Sequence, residues 1–246
     1  MKPRQAICLA GVPAALIAAA PACAWAFDLS IQSKRAAEPL ELAALFALVT
    51  LAPALLVMLT SFTRIVIVLS LLRQALGLQQ TPPNIVLTGI SLFLTVLVMA
   101  PTWQRIRQGA LDPYLAGKLA SGEAAERAAE PLREFMLRQT RREDLAMARA
   151  LLTHARGAPA DARPEAMPFY ALVPAFVSSE LTAAFRVGFL IYLPFLAIDL
   201  VTSAVLMALG MFMLPPAIIS TPLKLLVFVL ASGWPLLLGN LAGSFA

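Results

Sequence analysis

Charge is scarce in this chain of 246 residues, because Asp, Glu, Lys and Arg together make up 13% of it. Of the 19 basic and 14 acidic residues, 11 and 9 lie between Gln104 and Phe169. Hydrophobic residues reach 60%, against about 45–50% in soluble domains. The composition therefore excludes an ordinary soluble domain and predicts an all-α membrane protein with one polar segment. Four nearly charge-free stretches each match the roughly 20 residues of a membrane-crossing helix: Leu42–Thr63, Gln74–Gln104, Leu200–Leu223 and Leu225–Ala246.

Residues that bind metals or act as nucleophiles and bases are also few. The chain has two cysteines and one histidine, His154. Ser232 has no histidine partner in the apolar segments, Asp199 is the one aspartate embedded between apolar runs, and no Walker-type nucleotide motif occurs. We therefore predict no enzyme activity, no cofactor and no metal site. The net charge of +5 does not favour nucleic acid, because the charges of the polar segment nearly balance.

The first 26 residues are typical of a cleavable secretory signal. A basic start precedes apolar Ile7–Ala20, and Ala24–Ala26 provides a small-x-small site, so we predict cleavage between Ala26 and Phe27. The alternatives are an uncleaved anchor helix and a lipoprotein site at Cys23. Cleavage would remove both cysteines, which would leave the mature chain without a disulfide or thiolate chemistry.

The remainder divides by charge into three parts. We predict N-terminal membrane helices over 27–103, an extracytoplasmic helical domain over 104–169, and C-terminal membrane helices with a loop over 170–246. Arg64 and Arg73 have no acidic neighbour before Asn84. The positive-inside tendency therefore predicts that they occupy a cytoplasmic connection, which places the polar segment outside.

The polar segment has the signals of a small helical domain. We predict that Ser121 caps a first helix, that Pro131 begins a second, and that Thr140 and Glu143 form a capping box. One apolar stripe follows at helical spacing, made of Leu145, Ala148, Leu151, Leu152 and Ala155.

Four charges interrupt the apolar C-terminal part. An unpaired charge among membrane helices costs several kcal/mol, so we expect these residues to pair within the chain or across subunits. Their role is either structural pairing that supports assembly, which we favour, or an ion path. The surrounding prolines predict kinked helices and tight hairpins. The four charges are Glu180, Arg186, Asp199 and Lys224.

The segment Ala208–Pro216 is the second unusual feature of this part. Gly210 and the Pro215–Pro216 pair bracket Met211-Phe212-Met213, which predicts a loop that carries large apolar side chains. Packing into a core is the usual fate of such residues. In a pore-forming assembly, a ring of these loops would make an apolar seal.

The chain resembles the FliP/YscR family of type III secretion export-gate proteins over about residues 42–246. The family loop usually has three consecutive methionines, whereas Phe212 takes the middle place here. The matching stretches are Ser61–Gly77 (SFTRIVIVLSLLRQALG), Pro82–Asn84 (PPN), Pro131–Arg141 (PLREFMLRQTR), Leu172–Leu181 (LVPAFVSSEL), Phe189–Leu200 (FLIYLPFLAIDL) and the loop after Ala208.

The resemblance implies a non-enzymatic subunit of a secretion channel in the bacterial inner membrane, within the flagellar basal body. Such chains form homo-oligomers with FliQ-like and FliR-like membrane subunits, and FlhA-like and FlhB-like components act beside them. Unfolded exported proteins pass through the central pore. The signal peptide and the PLREFMLRQT string favour a flagellar system over an injectisome.

Two other functions remain open from the residues themselves. A secondary transporter or ion channel could use the four embedded charges, although no internal repeat of the kind typical of transporters is evident. A purely structural membrane scaffold is the third reading. A large ring with two other small membrane proteins after purification would favour the export gate, and a monomer or dimer would favour a transporter.

Overall fold

The structure is a computed structural model that describes residues 46, 49–51, 53–55, 57–156 and 167–245. The predicted signal, its cleavage site at Ala26 and Phe27, and both cysteines lie outside these residues. The chain separates into residues 1–50 and 51–246, and the helices named here belong to the second unit.

The described residues form helices joined by short turns and contain no strand, which confirms the predicted all-α class. Two continuous helical stretches, Asn84–Leu115 and Phe169–Ala208, are long and apolar enough to cross a membrane, and two bent helix pairs pass the same test together. In chain order the elements are α1 Phe62–Ala75, α2 Asn84–Ile106, a π-helical turn Arg107–Leu111, α3 Asp112–Leu115, α4 Ser121–Gln139, α5 Arg142–Arg156, α6 Phe169–Ala208, α7 Ala217–Leu230 and α8 Gly233–Gly243.

Helix α1 occupies much of the segment after Phe62 that the charge pattern predicted to be a cytoplasmic connection. Arg64 lies in its first turn and is buried, whereas Arg73 lies in its last turn. The side chain of Arg73 closes the actual turn, donating to Pro82 O at 3.2 Å and to Asn84 Oδ1 at 2.6 Å. The prediction that both arginines stand in a loop was wrong, because the spacing of the apolar residues forms a helix face that outweighs two charges. The buried residues of this face are Ile65, Val68, Leu69, Leu72 and Ala75.

The polar segment is helical, but its predicted boundaries need correction. Ser121 is the first residue of α4 rather than its cap, and the preceding Ala120 makes no side-chain capping bond. Pro131 lies inside α4 instead of beginning a new helix. A proline inside a helix costs about 3 kcal/mol, and the burial of Phe135 and Met136 beyond it offsets that cost.

The predicted capping box at Thr140 is also wrong. The Thr140 amide and hydroxyl both donate to Met136 O, at 2.9 and 2.7 Å, so this residue completes α4. Two members of the predicted stripe on α5, Leu145 and Ala148, are buried as expected, whereas Leu151 is 62% exposed. The side chain of Ala155 lies outside the described residues.

Helix α6 is the axis of the fold. Its 40 residues extend about 60 Å at 1.5 Å per residue, which is twice the thickness of the hydrocarbon core of a bilayer. Pro174 and Pro194 lie inside this continuous helix. Gly188 allows α1 to approach closely, because a Cβ atom there would lie 2.2 Å from Cδ1 of Leu71.

Three apolar clusters hold the helices around α6. The first joins α4, α5 and α6, with the Phe135 and Phe176 rings 6.0 Å apart. The second joins α1, α2, α6 and α8 around Val68 and Ala184. The third joins α1, α6 and α7 around Phe228.

Helices α7 and α8 form a bent pair, with an angle of 66° between them. The bend occurs at Ser232, whose φ of 51° is the left-handed conformation, and at Gly233, where a Cβ atom would lie 2.2 Å from the Phe228 ring. This bent pair, which we call the α7–α8 hairpin, is one of the kinked elements that the sequence predicted.

Candidate functional site

Arg64 of α1 and Glu180 of α6 form a buried ion pair between residues 116 positions apart in the chain. Arg64 Nη2 lies 2.5 Å from Glu180 Oε1, and Arg64 Nε donates to Oε2 at 2.9 Å. The Glu180 side chain is fully buried, and that of Arg64 is 8% exposed. This bidentate geometry, in which both carboxylate oxygens are satisfied, gives charge-assisted hydrogen bonds at both positions.

Other groups satisfy the remaining donors of Arg64. Nη2 also donates to Gln139 Oε1 at 3.2 Å, and Nη1 donates to Ser244 Oγ at 3.2 Å. The Phe245 ring covers the guanidinium, with its centroid 4.0 Å from Arg64 Cζ. We call these five residues the Arg64 cluster. It brings together α1, α4, α6 and the residues after α8.

Lys224 of α7 and Asp199 of α6 form a second ion pair, with Nζ and Oδ2 2.6 Å apart. Lys224 Nζ also donates to Ala75 O at 3.1 Å, which ties α7 to the end of α1. Lys224 is buried, but the Asp199 side chain is 35% exposed. We call these three residues the Lys224 cluster.

The exposed loop between α6 and α7 carries Met211, Phe212 and Met213. Gly210 has a φ of 76° and follows the last turn of α6, and α7 begins directly after Pro216. The three side chains are 44%, 78% and 96% exposed. No apolar cluster within the described residues therefore absorbs them, although large apolar side chains usually pack inside.

Comparisons with known proteins identify a family for this chain. A FliP family profile matches residues 45–241. The chain belongs to the FliP family. It is 56% identical over 196 residues to "Flagellar biosynthetic protein FliP" of Pectobacterium carotovorum subsp. carotovorum, covering 80% of this chain and 74% of that protein.

More distant bacteria carry relatives with the same name. The chain is 46% identical over 208 residues to the Bacillus subtilis (strain 168) protein, covering 83% of this chain and 91% of that one. It is 41% identical over 220 residues to the Aquifex aeolicus (strain VF5) protein, covering 89% and 90%. The matched residues 45–241 include Arg64, the loop and all four embedded charges. Ser244 and Phe245 lie just beyond the matched residues.

The structure pairs three of the four charges that the sequence selected. Glu180 pairs with Arg64, and Asp199 pairs with Lys224. Arg186 is exposed on α6 and has no ion pair or hydrogen bond within the described residues. Six helix positions separate it from Glu180, which places the two side chains about 120° apart around the helix axis.

Sequence reasoning missed the role of Arg64, which it placed in a connecting loop. The signal that could have found it is the apolar face of α1, since a basic residue one position before Ile65 falls beside that face. Gln139, Ser244 and Phe245 gave no comparable signal, because each acts through a contact distant in sequence.

A third polar group, centred on Asp144, attaches the α4–α5 turn to α6 through hydrogen bonds. Asp144 accepts hydrogen bonds from Ser179 Oγ at 2.5 Å, Ser178 Oγ at 3.1 Å and Arg141 Nε at 3.0 Å. Burial raises the pKa of Asp144, but these hydrogen bonds and the Arg141 charge outweigh burial and leave the pKa below its ordinary value of 3.8. Asp144 therefore remains ionised at neutral pH.

Proposed function

We propose that this chain is a subunit of the flagellar type III protein export gate, through which unfolded flagellar proteins are secreted. Its membership of the FliP family and the name of its relatives support this function. The observation that carries the mechanism is the exposed apolar loop between Gly210 and Pro215. The reading as an injectisome subunit remains the alternative within the same family.

The loop suits a seal that opens for a polypeptide. A narrow apolar ring excludes water and hydrated ions by dewetting. Methionine side chains are unbranched and flexible, so Met211 and Met213 can yield around a passing chain, whereas Phe212 adds bulk with less compliance. Several copies of the loop around one axis would therefore close a resting channel to ions.

The gate acts without covalent chemistry of its own. We assign the chain no catalytic residue, no cofactor and no metal, and its partners are further copies of itself with FliQ-like and FliR-like subunits. FlhA-like and FlhB-like components act beside it, and unfolded exported proteins are the substrates. The location is the inner membrane, where the chain is a multi-pass protein whose segment 104–169 faces away from the cytoplasm.

Ion conductance of the purified assembly in planar bilayers tests the seal. Replacing Met211, Phe212 and Met213 together by alanine should leave assembly intact and make the resting channel leak, while Phe212→Met alone should have a mild effect. The physical reason is that alanine side chains leave the ring too wide to remain dry.

A matched control replaces exposed apolar side chains that lie outside the loop. Leu226 and Leu230 of α7 are 55% and 75% exposed, and their double alanine variant should conduct no more than the wild type. If the triple alanine assembly stays as tight as the wild type, the seal lies elsewhere and the loop is ordinary packing.

A further inference from the structure

The residues that follow α8 make their contacts at a charged site and not merely at an apolar surface. Phe245 is half-buried with its ring on the guanidinium of Arg64, at 4.0 Å from Cζ to the ring centroid. Ser244 accepts from the same guanidinium through its hydroxyl at 3.2 Å and its carbonyl at 3.4 Å. Two successive residues are therefore fixed by one buried cation.

Gln139 of α4 completes this attachment from the other side. Its Oε1 accepts from Arg64 Nη2 at 3.2 Å, and its Nε2 donates to Phe245 O at 3.3 Å. Phe245 also packs against both the α4–α5–α6 cluster and the α1–α2–α6–α8 cluster. The ring is thus the point at which two apolar clusters and the buried ion pair meet.

An open cavity of about 750 Å³ lies beside this point and is lined in part by Gln139, Arg138, Arg105 and Phe245. Phe245 therefore borders the cavity and also contacts the guanidinium. A cation over an aromatic face is attracted by the ring quadrupole, and the attraction grows when the pair is shielded from water. An aliphatic side chain of similar volume would fill the space without this attraction.

The α7–α8 hairpin is attached to the rest of the fold at two places, each through a buried cation. In the middle of α7, Lys224 donates to Asp199 and to Ala75 O. Past its end, Arg64 holds Ser244 and Phe245. The Met211–Met213 loop lies directly before this hairpin. The position of the hairpin therefore fixes the C-terminal end of the loop.

We propose that Phe245 is a positioning residue, whose ring on Arg64 fixes the α7–α8 hairpin and so the resting position of the loop. Its effect on the loop rests on the proposed gate function, whereas its effect on the hairpin does not. Phe245 acts through Arg64 and needs no contact with an exported chain.

Three variants of the full-length protein in its purified assembly separate the ring face from simple packing. Phe245→Leu keeps an apolar side chain but removes the aromatic face. Phe245→Tyr keeps the aromatic face and adds one hydroxyl at a residue that borders the cavity. Phe169→Leu is the matched control, because the Phe169 ring stacks on Arg133 at 4.6 Å but lies at the start of α6, away from the hairpin.

Hydrogen exchange measured by mass spectrometry reports local opening of each helix. We expect Phe245→Leu to speed exchange of the α7 amides, residues 217–230, about ten-fold, as loss of one shielded cation–π contact would. Exchange in α4 should not change, and Phe245→Tyr and Phe169→Leu should leave α7 at the wild-type rate. Acceleration confined to residues 241–245, or an equal effect of Phe169→Leu on α7, overturns the proposal.

Assembly and conductance complete the test. If Phe245→Leu does not assemble, Phe245→Tyr decides: normal assembly of this variant supports the role of the ring face, and failure of both variants overturns it. Resting conductance separates the effect of Phe245 on the hairpin from the role of the loop as the seal. Faster exchange in α7 with unchanged conductance supports the positioning of the hairpin and counts against the loop as the seal.

Discussion

The Arg64 and Lys224 clusters place the same kind of ion pair in two different surroundings. Glu180 is fully buried, both of its oxygens are bonded, and Gln139, Ser244 and Phe245 complete the shell around Arg64. Asp199 is 35% exposed and uses one oxygen toward Lys224. Both pairs tie α6 to another helix, but the Arg64 cluster joins four parts of the fold and the Lys224 cluster joins three.

This difference in burial predicts which of the two ion pairs can lose a partner at the lower cost in stability. A buried ion that loses its partner keeps its desolvation cost and has no other group to replace the lost bonds. A partly exposed ion can still bond to groups outside this chain. The Arg64 cluster should therefore fail completely when it is broken, and the Lys224 cluster should fail in part. Two substitutions measure this contrast, and a third, at Asp144, adds a charged group that lies outside both clusters.

Glu180→Ala should have the largest effect. It leaves the guanidinium of Arg64 buried without its counter-charge, which costs about 3–5 kcal/mol in measured cases. We expect loss of the oligomer on native gels of detergent extracts before any change in transport rate can be measured. The control is Glu180→Gln, which keeps the shape and one acceptor and should retain part of the assembly. Normal assembly of Glu180→Ala with abolished export would instead assign Glu180 a direct transport role.

Lys224→Ala should have a smaller effect in the same assay. Ala75 O loses its side-chain donor and Asp199 loses its partner, but the exposed carboxylate recovers part of the loss from its surroundings, so we expect about 1–3 kcal/mol. Thermal unfolding in mild detergent should rank this variant between the wild type and Glu180→Ala. A loss as large as that of Glu180→Ala would erase the distinction between the two clusters.

Asp144→Asn should have the smallest effect, because it alters a hydrogen-bonded carboxylate outside the apolar helices. The amide oxygen can still accept from Ser179, so the expected cost at pH 7 is about 1 kcal/mol. The folded pKa of Asp144 lies below its ordinary value of 3.8, so its stabilisation is present above that pH and is lost as the pH falls through the folded pKa.

Thermal unfolding of the wild type and Asp144→Asn between pH 7 and pH 3 tests this sign. The gap between the two proteins should narrow only below about pH 4. If the difference in thermal stability narrows between pH 7 and pH 5, a group other than Asp144 titrates near the α4–α5 turn.

Predictions that depend on neighbours in sequence succeeded in this chain. The apolar stretch Gln74–Gln104 predicted the helix now seen as α2, because hydropathy sums over adjacent residues. The stretch Leu200–Leu223 did not form one helix, since the structure divides it between the end of α6, the Met211–Met213 loop and the start of α7. The loop at Met211–Met213 followed from Gly210 and Pro215, which shape the backbone at their own positions. The embedded charges stood out for the same local reason.

Predictions of helix ends failed where distant packing outweighed local preference. Pro131 and Thr140 carry the usual signals of a helix start, yet α4 runs through the first and ends at the second. Phe135 and Met136 bury their side chains against α6, and this contact supports α4 beyond Pro131. No window of adjacent residues contains that information.

The membrane helices, the apolar loop and the scarcity of charge thus follow from the order of residues, since each depends on hydropathy or backbone geometry within a few positions. The choice of partners does not. Arg64 meets Glu180 across 116 residues, and Ser244 and Phe245 reach Arg64 across about 180, because the packing of α1, α4 and α8 on α6 brings them together. Only that packing buries the Arg64–Glu180 pair completely and leaves Asp199 of the Lys224 cluster partly exposed. The same packing leaves Arg186 outside both clusters.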